Sequence, residues 1–112
     1  MNREPAVNVV LVLTTIGADA DARALTHALV EARVAACVNI VEHVHSVYHW
    51  EGRVADDDEQ LLIIKTTDER LPALREELFA RHPYEVPEFV VVPVSETSEA
   101  YGAWLLASVG LP

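Results

Sequence analysis

Apolar residues along this chain come in short dense blocks, and three of those blocks have no polar side. Residues 7–15 read VNVVLVLTT, with Val7, Val9, Leu11 and Leu13 on one parity and Val10 and Val12 on the other. That pattern predicts a strand buried on both faces. Gly17 breaks it, and Asp19 is placed to cap a helix over residues 20–33. Leu25, Ala28, Leu29 and Ala32 recur at helical spacing and form its core face, while His27 falls off that face and is expected in solvent. Residues 36–50, rich in Val, Ile, Tyr, His and Trp, carry no helix punctuation before Gly52 and read as one long strand. A turn at Glu51-Gly52-Arg53 follows. A third strand spans residues 59–67, in which Leu61-Leu62-Ile63-Ile64 again leaves no polar face. Between turn and strand, Asp56-Asp57-Asp58-Glu59 reads as a solvated part of the hairpin loop, with a weak oxygen-rich cation site as the alternative.

Asp68 is placed to cap a second helix whose first turn tolerates Pro72, and Leu71, Leu74 and Leu78 line one side of it. His82-Pro83 ends that helix, because a residue before proline avoids helical geometry. Residues 84–88, which follow Pro83 and contain Pro87, form an extended linker to a fourth strand at 89–94. Residues 95–98 supply caps for a last helix over 99–108, carrying Tyr101, Trp104 and Leu105.

The order is β-α-β-β-α-β-α, and its first six elements are the split-βαβ, ferredoxin-like arrangement of an α+β protein. The chain is expected to be one domain over residues 1–112, with its core at about 7–108. Two misfits point outward from it. The strand over 36–50 would be about 50 Å long at roughly 3.3 Å per residue, whereas a body of this size is about 35 Å across. It must bend at a bulge, project onto another copy, or both. In addition, two helices cover one face of such a sheet, and a short last helix covers only part of the other. An uncovered apolar face of that extent predicts an obligate oligomer.

Composition narrows the partners. Half of the residues are hydrophobic (51%), which excludes disorder, and no apolar run approaches a membrane span. The formal net charge of −10 repels phosphate backbones, so neither nucleic acid nor membrane is an expected partner, and cations are compatible with it. The start, Met1-Asn2-Arg3-Glu4-Pro5, lacks the regions of a signal peptide. A single cysteine, Cys37, excludes an internal disulfide and fits a reducing cytoplasm; its apolar surroundings predict a buried, inert thiol.

The chain holds no glycine-rich phosphate loop, no zinc-type Cys/His spacing and no nucleophile motif. No organic cofactor is expected, and the reading is a binding protein rather than an enzyme. His43, His45 and His49 share one strand parity, with Glu42 beside them. Such a His-x-His stripe chelates Cu(II), Ni(II) or Zn(II), or is simply a solvated or interface face of the hairpin. The second helix must run back along the third strand, so His82 and Glu59 are predicted at the same level, where they form a site or a helix-end ion pair. Lys65, late in an apolar strand, either pairs with a carboxylate at a sheet rim or binds an anion. Tyr48, Trp50, Tyr101 and Trp104 line a pocket or anchor an interface.

Several motifs occur together: Ala32-Arg33-Val34-Ala35-Ala36-Cys37-Val38-Asn39-Ile40, Ser46-Val47-Tyr48-His49-Trp50-Glu51-Gly52, Ile63-Ile64-Lys65-Thr66-Thr67 and His82-Pro83-Tyr84-Glu85-Val86-Pro87-Glu88. In order and spacing they resemble the CutA divalent-cation-tolerance family over nearly the whole chain. The resemblance implies a ferredoxin-like protomer in a tight, PII-like homotrimer whose long strands complete sheets across subunit boundaries. It implies a part in tolerance of copper and other divalent metals, with Cu(II) or another divalent cation as ligand. In copper-binding branches the ligands are a cysteine at the position of Thr14 and a histidine pair at Arg81 and His82; this sequence keeps His82. With Glu59, His82 is the metal site the resemblance suggests. Trp50, Glu59, Lys65 and Tyr101 match family positions near an intersubunit crevice. The similarity of shape to PII signalling proteins gives an alternative: a regulator binding a small anion or metabolite in that crevice.

Overall fold

The computed structural model describes residues 7–111. Four strands, β1 (Val9–Gly17), β2 (Cys37–Trp50), β3 (Arg53–Thr67) and β4 (Val90–Pro93), form one antiparallel sheet in the order β2-β3-β1-β4. Helices α1 (Ala22–Glu31) and α2 (Leu71–Arg81) follow β1 and β3, and α3 (Glu99–Ser108) closes the chain. This is the expected split-βαβ sheet with one added helix.

Local chemistry moves several boundaries. The cap of α1 is Asp21, whose carboxylate accepts from the Ala24 N–H at 3.0 Å, and not Asp19. Asp68 caps nothing: its carboxylate accepts from the Asn8 main-chain N–H and side-chain amide, both at 3.2 Å. Residues 68–70 make a single 3-10 turn before α2 starts at Leu71, with Pro72 inside its first turn, where no amide donor is missed. On α1, Ala22, Leu25, Thr26 and Leu29 are buried; Ala32, expected on that face, lies past the helix end and is exposed. Arg33 there takes a positive φ of 59°, and the Val34 N–H returns to the Leu29 carbonyl at 3.2 Å, which closes the helix as glycine usually does.

The largest correction concerns the acidic run. Asp56, Asp57 and Asp58 are not a loop; β3 begins at Arg53 and pairs them with Val47, Ser46 and His45 of β2. The turn is only Glu51 and Gly52, both at positive φ (51° and 79°), the two-residue geometry that matches strand twist. The hairpin is correspondingly long. The protomer measures 55 × 28 × 23 Å, and its radius of gyration is 15.4 Å, against about 13 Å for a compact chain of this length. The anticipated bend is present as a bulge between Val41 and Val44, where β2 holds one residue more than β3.

Register divides the sheet into two faces. Val12, Ile16, Leu62 and Ile64 face α1 and α2 and form the main core with Leu25, Leu29, Leu74 and Leu78. On the other face Leu11, Leu13, Leu61 and Ile63 are only half-buried, and on β4 Val90, Val91 and Val92 are exposed. Burial on both sides of these strands is therefore not achieved within one copy. The helix α3 covers one end of this open face: Leu105 and Val109 pack on Ala36, Val9 and Leu111. Two arginines hold its C-terminal end, Arg33 donating to the Ser108 carbonyl at 3.0 Å and Arg70 to the Val109 carbonyl at 2.9 Å, where the helix carbonyls are otherwise unpartnered. Cys37 is half-buried and free rather than fully enclosed.

Candidate functional site

The bulge shifts the parity of β2, and this shift builds the site. Beyond it, Val44, Ser46, Tyr48 and Trp50 lie opposite Glu59, Asp57, Ala55 and Arg53, on the same face as Leu61 and Ile63. The segment after α2 folds back toward that face and walls off a cleft of about 840 Å³. Thr15, Ser46, Tyr48, Trp50, Asp57, Glu59 and residues 83–88 surround it. Four of the lining side chains are carboxylates (Asp57, Glu59, Glu85, Glu88) and none is basic.

His82 anchors this wall. It is 7% exposed. Its Nε2–H donates to the Thr15 carbonyl at 2.7 Å, and its Nδ1 accepts the Tyr84 main-chain N–H at 3.1 Å. The Tyr84 ring leans on the imidazole at 4.8 Å between centroids, and its hydroxyl donates to Glu59 Oε2 at 2.6 Å. Glu59 and His82 therefore do reach the same level, as the direction of α2 required, but Tyr84 stands between them. Burial, with the Glu59 carboxylate added, pushes the Tyr84 hydroxyl well above its ordinary range. Burial likewise raises the Glu88 carboxyl, and the charge of Glu59 adds to the effect. Tyr48 donates to Asp57 across the strands, and this bond raises its hydroxyl as well.

The remaining expected positions separate. Lys65 and Tyr101 sit together at the α3 end, the ammonium 5.8 Å from the ring centroid, away from Trp50 and Glu59 at the hairpin end. Lys65 has no ion-pair partner among the described residues. Tyr101 and Trp104 lean on each other at 5.3 Å on the outside of α3. Thr14 is buried on the helix side of β1, its hydroxyl without a partner among the described residues. Arg81 is turned to solvent in an ion pair with Glu77 at 3.1 Å. At Thr14, Arg81 and His82, the positions singled out by the resemblance, this chain thus offers one imidazole whose two nitrogens are both engaged. That donor set does not fit Cu(II).

Sequence reasoning passed over Tyr84 and Glu88 as site residues, and weighed Asp57 only within a loop. Residues 84–88 looked like a linker, yet prolines and an aromatic are also how a chain builds a rigid wall.

An α+β protomer with this strand order, a bulged overlong hairpin and an acidic cleft defines a small ferredoxin-like protein with a cation-compatible site. The chain belongs to the CutA1 divalent ion tolerance protein family, whose model matches residues 10–108. It is 46% identical over 100 residues to the divalent-cation tolerance protein CutA of Thermus thermophilus, covering 89% of this chain and 97% of that one. To the CutA of Pectobacterium atrosepticum it is 38% identical over 109 residues, covering 97% and 99%. Among solved structures, CutA from Synechococcus elongatus superposes with a TM-score of 0.88 at 40% identity, covering 94% of this chain and 93% of that one.

Proposed function

We propose that this chain works as a cytoplasmic homotrimer that binds divalent cations and contributes to tolerance of copper and other divalent metals. The observation carrying the reading is the cleft: four carboxylates, no basic side chain, and a Glu59 that is only 6% exposed. A buried carboxylate needs a positive partner or hydrogen-bond donors, and Tyr84 supplies a single donor. The cleft carboxylates would attract a hydrated cation by their charge, and Tyr84 would fix the Glu59 carboxylate. His82 would position the wall and leave the cation to the carboxylates. Three features support the trimer: the exposed valines of β4, the half-buried Leu13 and Ile63, and a hairpin reaching past its own body. A lone free cysteine favours a reducing compartment.

Calorimetric titration of the wild type and Glu59→Gln with Mn(II) tests the cation site. Weaker binding by about tenfold or more in the variant, a loss of about 1.4 kcal/mol, is expected; equal binding removes the cleft from the account. Light scattering tests the assembly, and a stable single-copy mass in dilute buffer overturns it. Lys65, beside Tyr101 and with no ion-pair partner among the described residues, favours a second reading, a PII-like regulator taking a small anion where copies meet. A thermal-shift screen separates the two, since a metabolite at 100 times its dissociation constant adds about 2.7 kcal/mol.

A further inference from the structure

The bulge that turns Tyr48 and Trp50 toward the cleft turns His43 and His45 to the opposite face of the hairpin, toward the helix side. There they meet Asp58, directly across from His45 in the register. His43 Nε2 lies 3.0 Å and His45 Nδ1 lies 3.1 Å from the same oxygen, Asp58 Oδ1. One ligand atom from each of the three residues lies within 4.8 Å of the others. Around a divalent ion at roughly 2.0–2.1 Å from each ligand, neighbouring donor atoms stand about 3.3 Å apart. The two imidazole–carboxylate edges match that spacing to within a few tenths of an ångström, and all three side chains are exposed and free to adjust.

A fourth residue completes the pattern. The other nitrogen of His45, Nε2, is held by the carboxylate of Asp56, two positions along β3. A metal-bound imidazole characteristically gives its second N–H to a carboxylate, which fixes the ring and raises its basicity. With Asp56 on Nε2, the His45 ring presents Nδ1 toward His43 and Asp58. The geometry points to a divalent-metal site formed by His43, His45 and Asp58, oriented by Asp56 and separate from the acidic cleft. Its ligand is a borderline divalent cation, Cu(II), Zn(II) or Ni(II), because two imidazoles and one carboxylate suit these ions, whereas Mg(II) and Ca(II) take oxygen. The three ligands leave at least one coordination position open to water. His49, on the same strand parity, takes no part in the cluster.

This site does not depend on the cation reading of the cleft, and one set of variants tells them apart. The protein is titrated by calorimetry with Cu(II) alone and with Mg(II) alone, and by electron paramagnetic resonance with Cu(II). The wild type and Glu59→Gln are both expected to show a Cu(II) signal with coupling to two imidazole nitrogens. The double variant His43→Gln, His45→Gln loses that coupling and the corresponding heat. Asp56→Asn keeps both nitrogens but binds Cu(II) about tenfold more weakly, as loss of an outer carboxylate does. Circular dichroism and light scattering of each variant are expected to match the wild type, because the replaced side chains lie on the surface. Two-nitrogen coupling that survives in the double variant overturns the assignment, as does a wild type without imidazole coupling. Loss of the signal in Glu59→Gln alone would move the site to the cleft.

Discussion

The two faces of one hairpin carry opposite chemistry. On the face that continues into Leu61 and Ile63, Tyr48 and Trp50 join Asp57 and Glu59 in a walled cleft where Glu59 is withdrawn from water. On the other face His43 and His45 meet Asp58 and Asp56 in the open. The strands are the same; alternation along each strand separates the two sets, and one extra residue in β2 decides which of its parities takes which face. Withdrawal from water raises carboxyl and phenol groups on the first face, whereas on the second the hydrogen bond from His43 lowers Asp58. Ligand chemistry therefore follows from parity: oxygen donors and aromatics on one side, imidazoles with carboxylates on the other.

The strongest way to break this comparison is a charge in the middle of the open face. Ile63→Asp places a carboxylate among Leu13, Leu61 and Val90, and in the proposed trimer it would be buried without a partner, at a cost on the order of 3–5 kcal/mol. Loss of the assembled mass in light scattering is the expected result, while His43→Gln, His45→Gln keeps the wild-type mass. A smaller effect is expected at the α3 end. Arg70→Ala leaves the Val109 carbonyl without its charged donor, and denaturant unfolding should show a loss of about 1–2 kcal/mol.

Within the cleft the contrast sharpens by titration. Glu88 keeps its proton to higher pH in the folded chain than in the unfolded one, so its contribution favours folding at low pH and fades as pH rises through its raised value. Glu59→Gln removes one cause of that rise. The Glu88 carboxyl, followed by carbon-detected magnetic resonance in metal-free protein, is expected to move down toward the ordinary range. The smallest effect belongs to the exposed face. Asp58 lies below the ordinary carboxylate range because His43 hydrogen-bonds it. It therefore favours folding above that ordinary range and loses this as pH falls through the lowered value. In His43→Gln, His45→Gln its resonance should titrate at higher pH than in the wild type.

Much of the comparison was already legible in the residues. Blocks such as Leu61-Leu62-Ile63-Ile64 announce strands, helical spacing of Leu25 and Leu29 announces a buried helix face, and the motif around His82-Pro83 marks the family. Glu51-Gly52-Arg53 marks a turn, but only the observed pairing, counted outward from Trp50 and Arg53, brings His45 opposite Asp58. The acidic run misled because consecutive aspartates disfavour a strand in isolation. Here pairing with β2 outweighs that local preference, and Asp56, Asp57 and Asp58 each find a phenol or an imidazole across the ladder.

Sequence by itself determined the order of elements, the length of β2, the excess of apolar surface and the sign of the charge. Each of these depends on spacing and composition, which a chain carries wherever it goes. Only the tertiary structure decided which side chains share a face beyond Val41, because a bulge is a choice of pairing and a single residue of slip inverts every side chain after it. It also decided that Tyr84, read as part of a linker, should stand between Glu59 and His82. That contact joins residues distant in sequence, and its position is set by where α2 ends and by the Thr15 carbonyl that His82 bonds.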